Sequence, residues 1–178
     1  HRDLHLSIRR QRQMCIRDSS RTKMILASVL PKDPIQYLRK IIRDYNTMEL
    51  NEYPFVTALG ITLSENQGTN AIFEMARNET NVGGVRNSIN GGILATYVEI
   101  AAHFLIRQNL RERSEIKHTQ DLNIAYLNSA VSKITRAEAS LVRMGRTSTV
   151  VVELWDGDRT TLFCHARVSC AVGNSKTE

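Results

Sequence analysis

The sequence predicts one α+β domain in which a curved antiparallel sheet wraps a single long, apolar central helix. Three observations predict it. The chain has 178 residues, 42% of them hydrophobic and 24% charged, which suits one domain with a sizeable core. The stretch Ile93–Ile106 is apolar nearly all round, too long for a strand, and rich in Ala, Leu and Ile, which favour helix. Around it lie shorter extended runs. The last of these, Thr160–Ala171, alternates Leu162, Cys164, Ala166, Val168 and Cys170 with Thr161, Phe163, His165, Arg167 and Ser169, so one face belongs to a core. A helix apolar on every side must be covered, and one sheet curved around it is the simplest cover.

The formal charge of +6 and pI near 9.5 invite a nucleic-acid reading, but the excess is local. Seven basic residues (Arg2, Arg9, Arg10, Arg12, Arg17, Arg21, Lys23) stand in the first 23 against Asp3 and Asp18, leaving 17 basic and 16 acidic residues from Met24 onward. Met14-Cys15-Ile16-Arg17-Asp18-Ser19 resembles the translation of a transposon end used to prepare sequencing libraries. Residues 1–23 are therefore expected to be a non-native or disordered tail, and 24–178 the single domain. With a nearly neutral body, no nucleic-acid partner is expected.

Following the chain, Ile35, Leu38, Ile41 and Ile42 lie opposite Arg39, Lys40, Arg43 and Asp44, an amphipathic N-terminal helix capped by Asp33 with Pro34 in its first turn. Thr57–Leu63 and Thr69–Arg77 read as strands joined by the polar turn Ser64–Gly68. A glycine-containing loop, Val82–Val85, leads to the central helix, and four strand-like runs follow: Thr119–Leu127, Ile134–Arg143, Thr147–Trp155 and Thr160–Ala171. Met144-Gly145 and Asp156-Gly157 mark the hairpin turns. Cys164 and Cys170, on one strand, cannot bond to each other within it, and no Cys/His pair has zinc spacing. That fits a reducing cytoplasm with neither metal nor cofactor. No apolar run is long enough to span a membrane.

The chemistry concentrates on the central helix. Apart from the phenol of Tyr97, only Thr96, Glu99 and His103 carry polar groups there, spaced three and four apart on one stripe. A carboxylate in an apolar helix is costly unless it has a partner or a task. A structural Glu99–His103 pair is the plain reading. At the start of the helix, however, Asn90-Gly91-Gly92 sits where the chain turns helical, and first-turn N–H groups with no side chain in the way suit a developing oxyanion. Glu99 lies about 10–12 Å further along the axis, too far to serve the same carbonyl. The geometry points to a site shared between two chains, two per symmetric dimer.

Asn90-Gly91-Gly92, the carboxylate at Glu99, the strand Thr119-Gln120-Asp121-Leu122-Asn123-Ile124-Ala125-Tyr126-Leu127 and Arg143-Met144-Gly145-Arg146 together resemble the hotdog-fold acyl-coenzyme A thioesterases of the phenylacetate-degradation type. The resemblance runs from about Tyr53 to Val172. It implies that Gly91 or Gly92 polarises the thioester oxygen, that Glu99 is nucleophile or general base, and that the enzyme is a homodimer or dimer of dimers. It further implies His103, and less directly Thr96, in support. The family's histidine is Asn90 here, which keeps a hydrogen-bonding side chain but carries no charge and shuttles no proton. Asn128-Ser129 stand where the family often has Arg-Pro, a departure that weakens the case for a phosphate contact at that loop.

For the coenzyme's phosphates, Arg143 and Arg146 flanking Gly145, and Arg86 near the glycine turn, are the basic candidates, each equally readable as a solvated surface charge. A non-catalytic acyl-coenzyme A sensor is the competing reading, with Asn90 as its support. A hydroxyacyl dehydratase is disfavoured because no His-Phe-Pro-Gly run precedes the helix.

Overall fold

The computed structural model describes residues 50, 54–83 and 85–175. The expected tail and the amphipathic helix after Pro34 lie outside them. The described chain runs as a short helix α1 (Pro54–Leu59), strands β1 (Ile61–Asn66) and β2 (Asn70–Ala76), a long helix α2 (Gly91–Gln108), and strands β3 (Ser114–Tyr126), β4 (Ile134–Arg143), β5 (Thr147–Asp156) and β6 (Leu162–Asn174). All pairings are antiparallel, in one six-stranded sheet of order β1-β2-β4-β5-β6-β3, and α2 packs against it.

The first predicted strand is corrected. Pro54–Leu59 is helical, burying Val56 and Leu59 three residues apart on one face. Gly60, at φ 68°, ends the turn with its N–H on the Thr57 carbonyl, and the strand starts only at Ile61. The predicted turn Ser64–Gly68 shrinks because β1 continues to Asn66 through a bulge between Leu63 and Glu65.

The core follows from two periods. Helix α2 buries Leu94, Tyr97, Val98, Ile100, Ala101, Ala102, Phe104, Leu105 and Ile106. The sheet answers with alternating positions, Ala137 and Ala139 on β4, Val150, Val152 and Leu154 on β5, and Cys164, Ala166, Val168 and Cys170 on β6. The small side chains let the helix approach closely, while Phe104 meets Phe73 edge to face at 5.3 Å between centroids. Phe163, expected on the outer face, is buried because the β5–β6 register slips between Leu154 and Trp155 and turns it inward.

One strand differs from the rest. None of the thirteen residues of β3 is buried, and among the described residues it lies at the edge of the sheet with β6 as its one strand partner. It runs alongside α2 in the opposite direction. Tyr126 Oη reaches the first turn of the helix, and Thr119 reaches its middle.

Candidate active site

The first turn of α2 is held by its own sequence and by the loop before it. Asn90 is the N-cap, extended at φ −63° and ψ 135°, with its Oδ1 accepting from the Gly92 N–H at 2.8 Å. Its carbonyl accepts from the Leu94 N–H at 3.0 Å. The Gly91 N–H, in that same peptide unit, donates to no group among the described residues.

The loop before Asn90 is pinned by Asn81, fully buried, whose Nδ2 donates to the Ala76 carbonyl and whose Oδ1 accepts from the Asn78 N–H. The Asn81 carbonyl in turn accepts the Asn90 N–H at 3.0 Å. A buried amide with its hydrogen bonds filled is a rigid anchor. Nothing in the sequence marked Asn81, since one asparagine in the polar run Asn78–Asn81 looks like any loop residue.

Tyr126 covers the turn from outside. Its Oη donates to the Gly91 carbonyl at 2.8 Å, and a Cβ placed on Gly91 would touch its ring at 3.6 Å, ordinary contact distance. Packing within the chain therefore does not demand glycine at 91. At Gly92 a Cβ would stand 3.1 Å from Asn90 Oδ1, so the cap itself favours glycine there. Tyr97 and Phe104 belong to the core, whereas Tyr126 is half exposed.

Two turns along α2 lies the second polar group. Glu99 is partly exposed, its side chain at 39% of full accessibility, and Oε1 accepts from Thr119 Oγ1 at 2.5 Å. The same hydroxyl lies 2.8 Å from His103 Nε2, while the direct His103–Glu99 separation is 3.8 Å. The pair expected from helix spacing is therefore bridged by a third residue from β3. Burial lowers the His103 pKa, the Glu99 charge opposes that shift, and the Arg107 charge adds to it.

Cys170 pairs with Thr119 in the β3–β6 register, and burial pushes its thiol up to about 11. Cys164 is pushed up to about 12, so neither cysteine is a thiolate nucleophile at neutral pH. Thr96 does not join the group, because its hydroxyl donates back to the Gly92 carbonyl at 3.0 Å.

The basic candidates separate. Arg143, Gly145 and Arg146 form the exposed β4–β5 turn, with the Gly145 N–H on Ser148 Oγ and the Arg146 carbonyl on the Val172 N–H. Arg86 is exposed in the tight turn before α2, where it and Asn87 both take left-handed backbone at φ 56° and 62°. That turn is tied through Asn87 to Arg77, which is bonded to Lys133 just before β4 starts. The two basic sets thus stand at opposite ends of a ten-residue strand, roughly 30 Å apart. Asp121 of the Thr119–Leu127 run pairs with Arg167 across the exposed face of β3 and β6.

Comparison with known proteins agrees with this architecture. A family model described as Thioesterase superfamily matches residues 86–163. Among solved structures, the chain is similar to a thioesterase from Haemophilus influenzae (19% identity, 77% of this chain and 93% of that one, TM-score 0.66). It is also similar to a mutant thioesterase from Pseudomonas aeruginosa (18%, 72% and 96%, TM-score 0.64) and to zebra fish thioesterase superfamily member 2 (19%, 76% and 98%, TM-score 0.61). No curated protein matches. The sheet wrapped on α2 and these likenesses identify the hotdog fold. No helix among the described residues is long and apolar enough to cross a membrane.

Proposed function

We propose that the protein hydrolyses acyl thioesters of coenzyme A, with Glu99 as nucleophile or general base and the Gly91 N–H as oxyanion donor, in a site shared between two copies of the chain. The observation that carries this reading is a pair of complementary groups on one helix. Among the described residues, an N–H at the first turn is left free by a cap that occupies its neighbour, and a carboxylate two turns on is held through one oxygen.

Of the two glycines, Gly91 fits the role better, because the Gly92 N–H already serves Asn90. Among the described residues, the edge of Tyr126 is what a Cβ placed on Gly91 would meet. In the general-base form, Glu99 takes a proton from water as its oxygen adds to the carbonyl carbon. The oxyanion forms against the Gly91 N–H, the C–S bond then breaks, and the thiolate leaves and is protonated to free coenzyme A. In the nucleophilic form, Glu99 makes that first bond itself and water opens the resulting anhydride.

Eight residues of helix separate the two groups by about 12 Å, so the donor for each carbonyl comes from the other subunit. The exposed edge of β3 supports such an assembly. A second β3 against it would continue the sheet and lay the two copies of α2 side by side. A dimer, or a dimer of dimers, is the unit of activity on this reading, and the cytoplasm its setting. For the coenzyme phosphates we assign Arg143 and Arg146, exposed on the β4–β5 turn and without an ion pair among the described residues.

The asparagine cap favours one rival, a module that binds acyl-coenzyme A without cleaving it. The full chain, offered short, long and aromatic acyl-coenzyme A esters, should release free thiol. Glu99→Gln should lower turnover by about a hundredfold or more with the oligomer intact. Unchanged turnover in that variant overturns the assignment, and tight binding without turnover in the parent favours the rival.

A further inference from the structure

With Glu99 ionised, one proton arrangement satisfies both short contacts of the Thr119 hydroxyl. An ionised carboxylate only accepts, and a threonine hydroxyl has a single proton to give. With Glu99 Oε1 at 2.5 Å and His103 Nε2 at 2.8 Å from Thr119 Oγ1, the hydroxyl proton goes to the carboxylate and the oxygen accepts from the ring. His103 must therefore carry its proton on Nε2. Glu99 Oε2 takes no hydrogen bond from the described residues.

Two further groups stand beside it, and Cys170 also lies in hydrogen-bond reach of the Thr119 side chain. Arg107, one turn beyond His103, is a cation, and Cys170, opposite Thr119 on β6, stays a thiol at neutral pH.

We propose that His103 is a positioning residue acting through Thr119: its Nε2–H turns the threonine hydroxyl onto Glu99 Oε1, which fixes the carboxylate and presents Oε2 to the reacting carbonyl or to the attacking water. The inference rests on the hydrolase reading for its consequence, but not for its hydrogen-bond direction. Helix spacing alone gives only a Glu–His pair. The intervening hydroxyl makes His103 an orienter at one remove and leaves the direct ionic contact long.

Nitrogen-15 NMR of the full chain near neutral pH should find His103 in the Nε2–H tautomer, and Thr119→Val should release that preference. The Nδ1–H tautomer in the parent overturns the proposal. In thiol-release assays, His103→Leu should lower kcat roughly tenfold with KM little changed, and His103→Gln, whose amide donates at similar reach, should restore most of the loss. Thr119→Val should cost about the same, and the His103→Leu, Thr119→Val double variant no more than either alone, because both remove one chain. Losses that multiply, or no rescue by Gln, overturn it. If parent and Glu99→Gln prove equally inactive, the hydrolase reading fails, while the tautomer measurement still decides the hydrogen-bond chain.

Discussion

The two polar stations on α2 are built by different means. At the first turn, Asn90 holds Gly92 two residues away, so the cap is almost entirely local. At the middle, Glu99 is held by Thr119 from a strand twenty residues on, and by His103 only through it. The first station is built mainly from nearby chain, the cap and the Asn81 anchor, with Tyr126 added from β3. The tertiary one depends on the strand β3 staying in register beside the helix, and a shift of one residue there would turn Thr119 to the other face. The first suits a fixed N–H donor. The second suits a group whose proton contacts must be tuned.

Substitution sharpens the contrast, beginning with the largest effect. Glu99→Gln should cost about 2.7 kcal/mol of barrier, the hundredfold loss in turnover, while leaving thermal unfolding nearly unchanged. The His103 and Thr119 variants should cost roughly tenfold, in kcat and not in KM. Asn90→Ala should act the other way, lowering stability by about 1 kcal/mol through loss of the cap, whereas Asn90→Asp retains it. Calorimetry of the three chains separates these outcomes. Equal melting of Asn90→Ala and the parent would show that the first turn is held by the Asn81 anchor and not by the cap.

Proton titration reads the second station alone. Burial holds the native His103 pKa below 6.5, so the unfolded chain binds a proton through a range where the native chain does not. Stability should therefore fall as pH drops from about 6.5 through the lowered native pKa, level off below it, and show no contribution from this group above. His103→Gln should flatten that part of a denaturation series taken between about pH 8 and pH 5. The smallest effect is expected at the first station, where Tyr126→Phe removes one half-exposed hydrogen bond to the Gly91 carbonyl, about 0.5 kcal/mol at most. A larger loss of turnover than of stability there would mean that the phenol orients the Gly91 peptide during the reaction.

Much of the fold was legible because it rests on periodicity. The apolar stretch Ile93–Ile106 becomes the heart of α2, which extends from Gly91 to Gln108, and Ile134–Arg143 has its predicted bounds. The alternation on β6 buries the expected face, apart from Phe163 at its bulge. The segment after Pro54 misled because Val56, Thr57 and Ile61 are strand formers. What decided it was the burial of Val56 and Leu59 together and the left-handed turn at Gly60. At the site, Asn90, Gly91 and Glu99 stood out as residues in awkward or exposed-backbone positions. Thr119 was visible only as the start of a strand run, and Asn81 not at all, since each acts on a partner that is remote in sequence or on backbone.

The sequence by itself determined the long central helix, its carboxylate, its asparagine cap and the strands that cover it, because each is written in local spacing and residue type. Only the tertiary structure decided that the Gly92 N–H is occupied while the Gly91 N–H has no acceptor among the described residues, that Thr119 stands between Glu99 and His103, and that the basic residues fall at opposite ends of β4. Those facts depend on strand register and on which strand lies at the sheet edge. Both are settled by the packing of the whole sheet on the helix and not by any one segment.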